Sequence, residues 1–107
     1  MKELLHILKD NNLIYKSLEE LNKKEIGTRS KIDFYKATDR NGYYSIIFYI
    51  EKKSRILQKD VQTFEKLIEQ ISTHVEHNFK FKIAYINAPL CSKAKALMID
   101  KGWKILH

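Results

Sequence analysis

The chain has 107 residues, 44% of them apolar and 31% charged, with one proline, three glycines and one cysteine. That length holds a single domain with one modest core, and the composition excludes collagen-like, low-complexity and disordered classes. A formal net charge of +7 favours a polyanionic partner, because clustered Lys and Arg release counterions from phosphates, while the lone Cys91 excludes an internal disulfide and a cysteine-rich zinc site.

Residues 2 to 10 carry Leu4, Leu5, Ile7 and Leu8 at helical spacing, and Asn11-Asn12 stops the run. This N-terminus contains acids and no long apolar stretch, which argues against a secretory signal or a membrane span and for a cytoplasmic protein. The basic residues are spread along the chain and do not line one amphipathic helix, so a membrane surface is not the expected partner. Ser17 and Glu20 form a capping-box pattern before Leu21, and Gly27 supplies a stop, which predicts a second helix over 18 to 26. Leu13 to Tyr15 suit a brief strand between the two.

Residues 31 to 38 and 43 to 53 are rich in aromatic and β-branched side chains and flank Asp39-Arg40-Asn41-Gly42, a strong hairpin signal. Ile46 to Ile50 are apolar without alternation, as in a central strand covered on both sides. From Gln58 to about His77, Val61, Phe64, Leu67, Ile68, Ile71 and Val75 recur at helical spacing. Phe79, Phe81, Ile83 and Tyr85 then alternate as a strand, closed by Asn87-Ala-Pro89. Ser92 to Lys101 is a last helix with Leu97 and Met98 inward and Gly102 as its stop, leaving Trp103 to Leu106 as an edge strand. The predicted order is α-(α)-β-β-α-β-α-β, an α/β (α+β) domain over 1–107. A crossover helix makes the second and third strands parallel, so the sheet is mixed, with helices on both faces.

Acids and a lysine gather at the open end of the hairpin. On a strand Glu51 and Lys53 share a face, placing a carboxylate beside an ammonium. Asp39 lies about seven strand residues from Glu51, which at roughly 3.3 Å each is too far to share an ion. Asp33 lies at the same end as Glu51. A two-residue Asn41-Gly42 loop would pair Asp33 with Ile50 and send Asp33 and Glu51 to opposite faces. A three-residue Arg40-Asn41-Gly42 loop, with Gly42 left-handed in a bulge, would pair Asp33 with Tyr49 and leave Glu51 diagonal to it on one face. Two carboxylates so placed suit a hard cation such as Mg²⁺, and a nearby lysine can offset phosphate charge. The same residues also suit a solvated strand end, with Asp33 paired to a neighbouring lysine.

Ser30-Lys-Ile-Asp33, a hairpin ending in Ile50-Glu51-Lys-Lys53-Ser54, and a helix opening with Gln58-Lys59 resemble the PD-(D/E)xK nuclease superfamily, with its restriction-endonuclease-like fold. Within it the chain is similar to small archaeal Holliday-junction resolvases. The likeness covers residues 30 to 85, and Lys101-Gly-Trp103-Lys-Ile105 resembles the end of such domains. The pattern departs at Ile32, which stands where the motif has a proline, in a long Asp-to-Glu gap, and in the two predicted helices that precede the hairpin. The resemblance implies metal binding by Asp33 and Glu51 and catalytic assistance by Lys53. It also implies a further Glu from a first helix, for which Glu3 is the best match and Glu20 the next.

Lys52, Arg55 and Lys59 form a basic run beside this site that suits phosphate contact. Tyr43, Tyr44 and Tyr49 are expected in the core, and Cys91 as a small packing residue. No Gly-rich phosphate loop, nucleophile elbow or HExxH pattern is present. The first reading is a Mg²⁺-dependent endonuclease acting on DNA as a homodimer, since a lone domain this small offers little surface to a duplex. A non-catalytic basic nucleic-acid-binding module and a protein-interaction domain are the alternatives.

Overall fold

A computed structural model describes residues 2–27, 32–75 and 79–106. Helix α1 (Lys2–Asp10) buries Leu4 and Leu8, one turn apart on the same face. It ends where Asn12 takes a positive φ of 59°, with the Leu13 amide donating to the Leu8 carbonyl at 2.8 Å and the Asn12 amide to that of Lys9 at 3.0 Å. Those two bonds close the last turn around a left-handed residue.

The helix predicted over 18 to 26 is not formed as such. Ser17–Glu20 is instead strand β1, antiparallel to β2 (Asp33–Thr38), and only Lys23–Ile26 is helical, as α2. The physical reason lies in two leucines. Leu18 packs against the cluster around α1, whereas Leu21 joins the core on the opposite face, its amide bonded to the Phe34 carbonyl at 2.9 Å. An extended chain sends residues three apart to opposite faces, which a helix cannot do. The cap is Asn22, whose Oδ1 accepts from the Lys24 amide at 2.9 Å. Residues 13 to 15 carry no strand.

Strands β2 and β3 (Tyr44–Glu51) form the expected hairpin. Asp39 and Tyr43 close it through a 3.0 Å backbone bond, and Gly42 sits at φ 85°, so the loop is the three-residue Arg40-Asn41-Gly42 form with a left-handed glycine. Helix α3 (Gln58–Val75) crosses over to β4 (Phe81–Asn87), parallel to β3, and α4 (Ser92–Asp100) crosses to β5 (Trp103–Leu106), parallel to β4. The five strands lie in the order β1-β2-β3-β4-β5. Strand β3 ends at Glu51, two residues earlier than predicted, and β4 begins at Phe81, so Phe79 lies outside it.

The mixed sheet is covered on both sides. Phe34, Ile46, Phe48, Ile50 and Ala84 meet Val61, Phe64 and Ile71 of α3 and Ala94 and Met98 of α4. Phe48 lies at the centre, edge-on to Phe34, Phe64 and Trp103 at 4.8, 5.8 and 5.1 Å. The other face packs Tyr35, Ile47, Ile83 and Leu106 under Leu4 and Leu8. Of three aromatics expected in the core, Tyr49 is half-buried and packs on the α1-side cluster, Tyr44 is half-buried, and Tyr43 is 45% exposed with the Lys80 ammonium 3.6 Å over its ring.

Candidate functional site

The register of the hairpin decides how its acids meet. Asp33 pairs with Tyr49, the outcome that a three-residue loop requires. Directly opposed residues share a face, and Glu51 follows Tyr49 by two, so Glu51 emerges on that face diagonal to Asp33. It is the face that carries α1, because Tyr49 packs on the Leu4, Leu8 and Ile47 cluster. Asp39 stays at the far end, where its Oδ1 accepts from the amides of Asn41 and Tyr43, each at 2.9 Å, as a structural turn residue.

Each clustered carboxylate has a side-chain partner. The Lys23 ammonium donates to Asp33 Oδ1 at 3.3 Å, with both side chains a third or more exposed. The Tyr49 hydroxyl donates to Glu51 Oε1 at 2.8 Å. Tyr49 is itself stacked on Tyr85, ring centres 5.0 Å apart and planes at 29°, and the parallel register sets Asn87 beside Glu51. A lysine on Asp33 is the pairing expected of a solvated strand end, and that it is Lys23 follows from the unpredicted β1–α2 turn.

Glu20, the second choice for an additional acid, comes from a strand and not from a helix. It pairs with Tyr35 and so lies on the same face as Asp33. Tyr35 reports that neighbourhood: its phenol is pushed up above the usual range, first by burial, then by the negative charges of Glu20 and Asp33. Glu3 falls in the first turn of α1, but its side chain lies outside the described residues. Among the described residues, no group of three His, Cys, Asp or Glu side chains is arranged to hold a metal ion. Two carboxylates remain, a donor set that fits Mg²⁺, which commonly takes one or two carboxylates and completes its shell with water and phosphate oxygens.

Lys53 lies in the bend that follows β3, so strand parity does not govern its direction. It and Glu51 both line a cleft of about 470 Å³ with Ile32, Ile50, Asp60 and Phe64, which opens on the α3 side of the sheet, opposite the face that carries Asp33. Lys52, Arg55 and Lys59 are all exposed around this bend. Lys52 reaches Asp60 at 3.9 Å, while Asp60 also accepts from the Leu57 amide at 2.8 Å and caps α3. Backbone bonds from Ile56 to Pro89 at 2.9 Å and from Cys91 to Ile56 at 3.1 Å hold the bend against the start of α4. Cys91 packs partly on the core as expected, and its thiol is held below the ordinary range by the amides of Ala94 and Lys93, with Arg55 adding to the effect.

No family model and no curated protein matches the sequence. Solved structures match its fold. EndoMS in its apo form superposes with a TM-score of 0.60 at 16% identity, over 98% of this chain and 44% of that one. A repair endonuclease from Pyrococcus abyssi gives 0.57 at 14%, over 97% and 44%, and EndoMS in complex with double-stranded DNA gives 0.53 at 13%, over 97% and 42%. The chain has an endonuclease-like fold. It spans less than half the length of these solved chains, and at such identities the likeness concerns the fold alone. No helix among the described residues is long and apolar enough to cross a membrane.

Proposed function

We propose that this chain is a Mg²⁺-dependent endonuclease domain of the PD-(D/E)xK type that cuts DNA phosphodiester bonds. The observation that carries the reading is the Asp33–Tyr49 pairing, which puts Asp33 and Glu51 on one face at one end of the hairpin. Asp33 and Glu51 hold the ion in this reading, with Glu3 the candidate for a further oxygen. When bound, Mg²⁺ polarises the phosphate and lowers the pKa of an attacking water. Lys53, two residues after Glu51 in the bend that ends β3, offsets charge on the phosphate in this reading, and Lys52, Arg55 and Lys59 hold flanking phosphates. DNA as the substrate rests on the net charge of +7 and on a fold shared with a protein solved on double-stranded DNA. Two copies together give a duplex the surface that one lacks.

A binding module without catalysis is the second reading, favoured by the partners that both carboxylates already have: Lys23 on Asp33 and Tyr49 on Glu51. Cleavage of plasmid and branched DNA separates the two. Mg²⁺-dependent cutting that disappears in Asp33→Ala and in Glu51→Ala supports the nuclease. Salt-sensitive binding with no cutting at any Mg²⁺ concentration selects the module.

A further inference from the structure

We infer that Tyr49 is a positioning residue for the metal centre: its hydroxyl holds the Glu51 carboxylate ready for a divalent cation. The inference rests on the proposed nuclease reading and adds a residue outside the acid and lysine set that the sequence pattern supplies.

Glu51 is the last residue of β3 and is exposed, so nothing in the core restrains its side chain. A free glutamate samples many rotamers, and fixing one on metal binding costs entropy at that moment. Tyr49 removes part of that cost beforehand. Its hydroxyl donates to Oε1 at 2.8 Å from two residues back on the same face. The phenol that does this is itself fixed, because its ring is stacked on Tyr85 and packed on the α1-side cluster. Rigidity thus passes from the sheet through Tyr85 and Tyr49 to a carboxylate that would otherwise be mobile. A carboxylate has about four lone-pair directions, so one donated hydrogen bond leaves room for a cation. Outer partners of this kind typically contribute ten- to a hundredfold to metal affinity. Tyr49 also stands directly opposite Asp33, so the residue that orders one carboxylate lies across the strand pair from the other.

Tyr49→Phe tests this cleanly, since it keeps the ring and its stack and removes only the O–H. Mn²⁺ alone serves as the probe, its binding followed by the loss of the free-ion paramagnetic signal, with Asp33→Asn and Glu51→Gln as controls. The expected result is Mn²⁺ binding weakened about tenfold in Tyr49→Phe, with an unchanged thermal midpoint and a rise in the Mg²⁺ concentration for half-maximal cleavage at nearly constant saturated rate. Unchanged or tighter Mn²⁺ binding in Tyr49→Phe, while Glu51→Gln still abolishes it, overturns the role of Tyr49 and leaves the metal centre standing. Wild-type protein whose Mn²⁺ binding is absent, or indifferent to both carboxylate controls, overturns the metal centre and the role of Tyr49 together.

Discussion

At the turn of the β2–β3 hairpin, Asp39 directs its carboxylate at its own backbone, accepting from Asn41 and Tyr43. At the open end, Asp33 and Glu51 accept from side chains, an ammonium and a phenol. The same chemical group is structural in one place and addressable in the other. A carboxylate bonded to the amides of its own loop fixes that loop, whereas one held by a lysine ammonium can exchange that partner for a metal ion. Burial does not make the distinction, since all three acids are at least partly exposed. What differs is the kind of partner, backbone amides at the turn and side chains at the open end.

Substitutions at the two ends should therefore fail in different ways. The largest effect is expected from Asp33→Ala and Glu51→Ala. Each should reduce Mg²⁺-dependent cleavage at least a hundredfold, an order-of-magnitude expectation for removing a metal ligand, while the thermal midpoint stays near wild type because an exposed ion pair contributes about 0–1 kcal/mol. Unfolding of either variant under assay conditions would count against the division. At the turn the pattern reverses. Asp39→Ala should lower unfolding free energy by about 1–2 kcal/mol through two lost hydrogen bonds to a charged group, with cleavage by the folded fraction unaltered. Gly42→Ala should cost about 1 kcal/mol from its positive φ alone, since a Cβ there meets nothing within 4 Å. Denaturant melts measure both.

Smaller effects sharpen the open end. Lys23→Met removes the cation that competes for Asp33, so Mn²⁺ affinity should rise by up to about fivefold, the equivalent of an exposed ion pair. A fall in affinity would mean that Lys23 supports the centre and does not compete with it. Cys91 offers a pH readout away from the hairpin. Its thiol is depressed in the folded chain by the amides of Ala94 and Lys93, so alkylation should reach half its maximal rate at lower pH than in the denatured chain. By linkage, the associated stability is present above the unfolded thiol's pKa and is lost as pH falls through the folded value. A folded midpoint at or above the denatured one contradicts that environment.

Much of this architecture is legible in the residues. The unbroken apolar run of β3 marks a central strand because no helix–solvent alternation can accommodate it, and the spacing of α3 leaves one face to bury. Gly42 carries more information than its size suggests: its left-handed backbone sets a three-residue loop, and the loop sets which acids share a face. What sequence did not reveal depends on non-local pairing. Ser17–Glu20 reads as a helix cap because its local pattern satisfies one. The edge of β2 offers those residues backbone partners that only the folded sheet supplies. Lys23 reaches Asp33 through that same pairing, and the direction of Lys53 depends on where β3 stops. Tyr49 packs on the core cluster as aromatic residues on a sheet usually do, but its hydrogen bond to Glu51 appears only in the folded strand.

Anomalous scattering from a crystal soaked in Mn²⁺ reads the occupancy of the Asp33–Glu51 site itself. A peak between the carboxylates of Asp33 and Glu51, with the Lys23 ammonium displaced from Asp33, is the result this account expects. Clear side-chain density with Lys23 still on Asp33 and no peak at either carboxylate would contradict it, and would leave a basic endonuclease-like fold without a metal centre at this site.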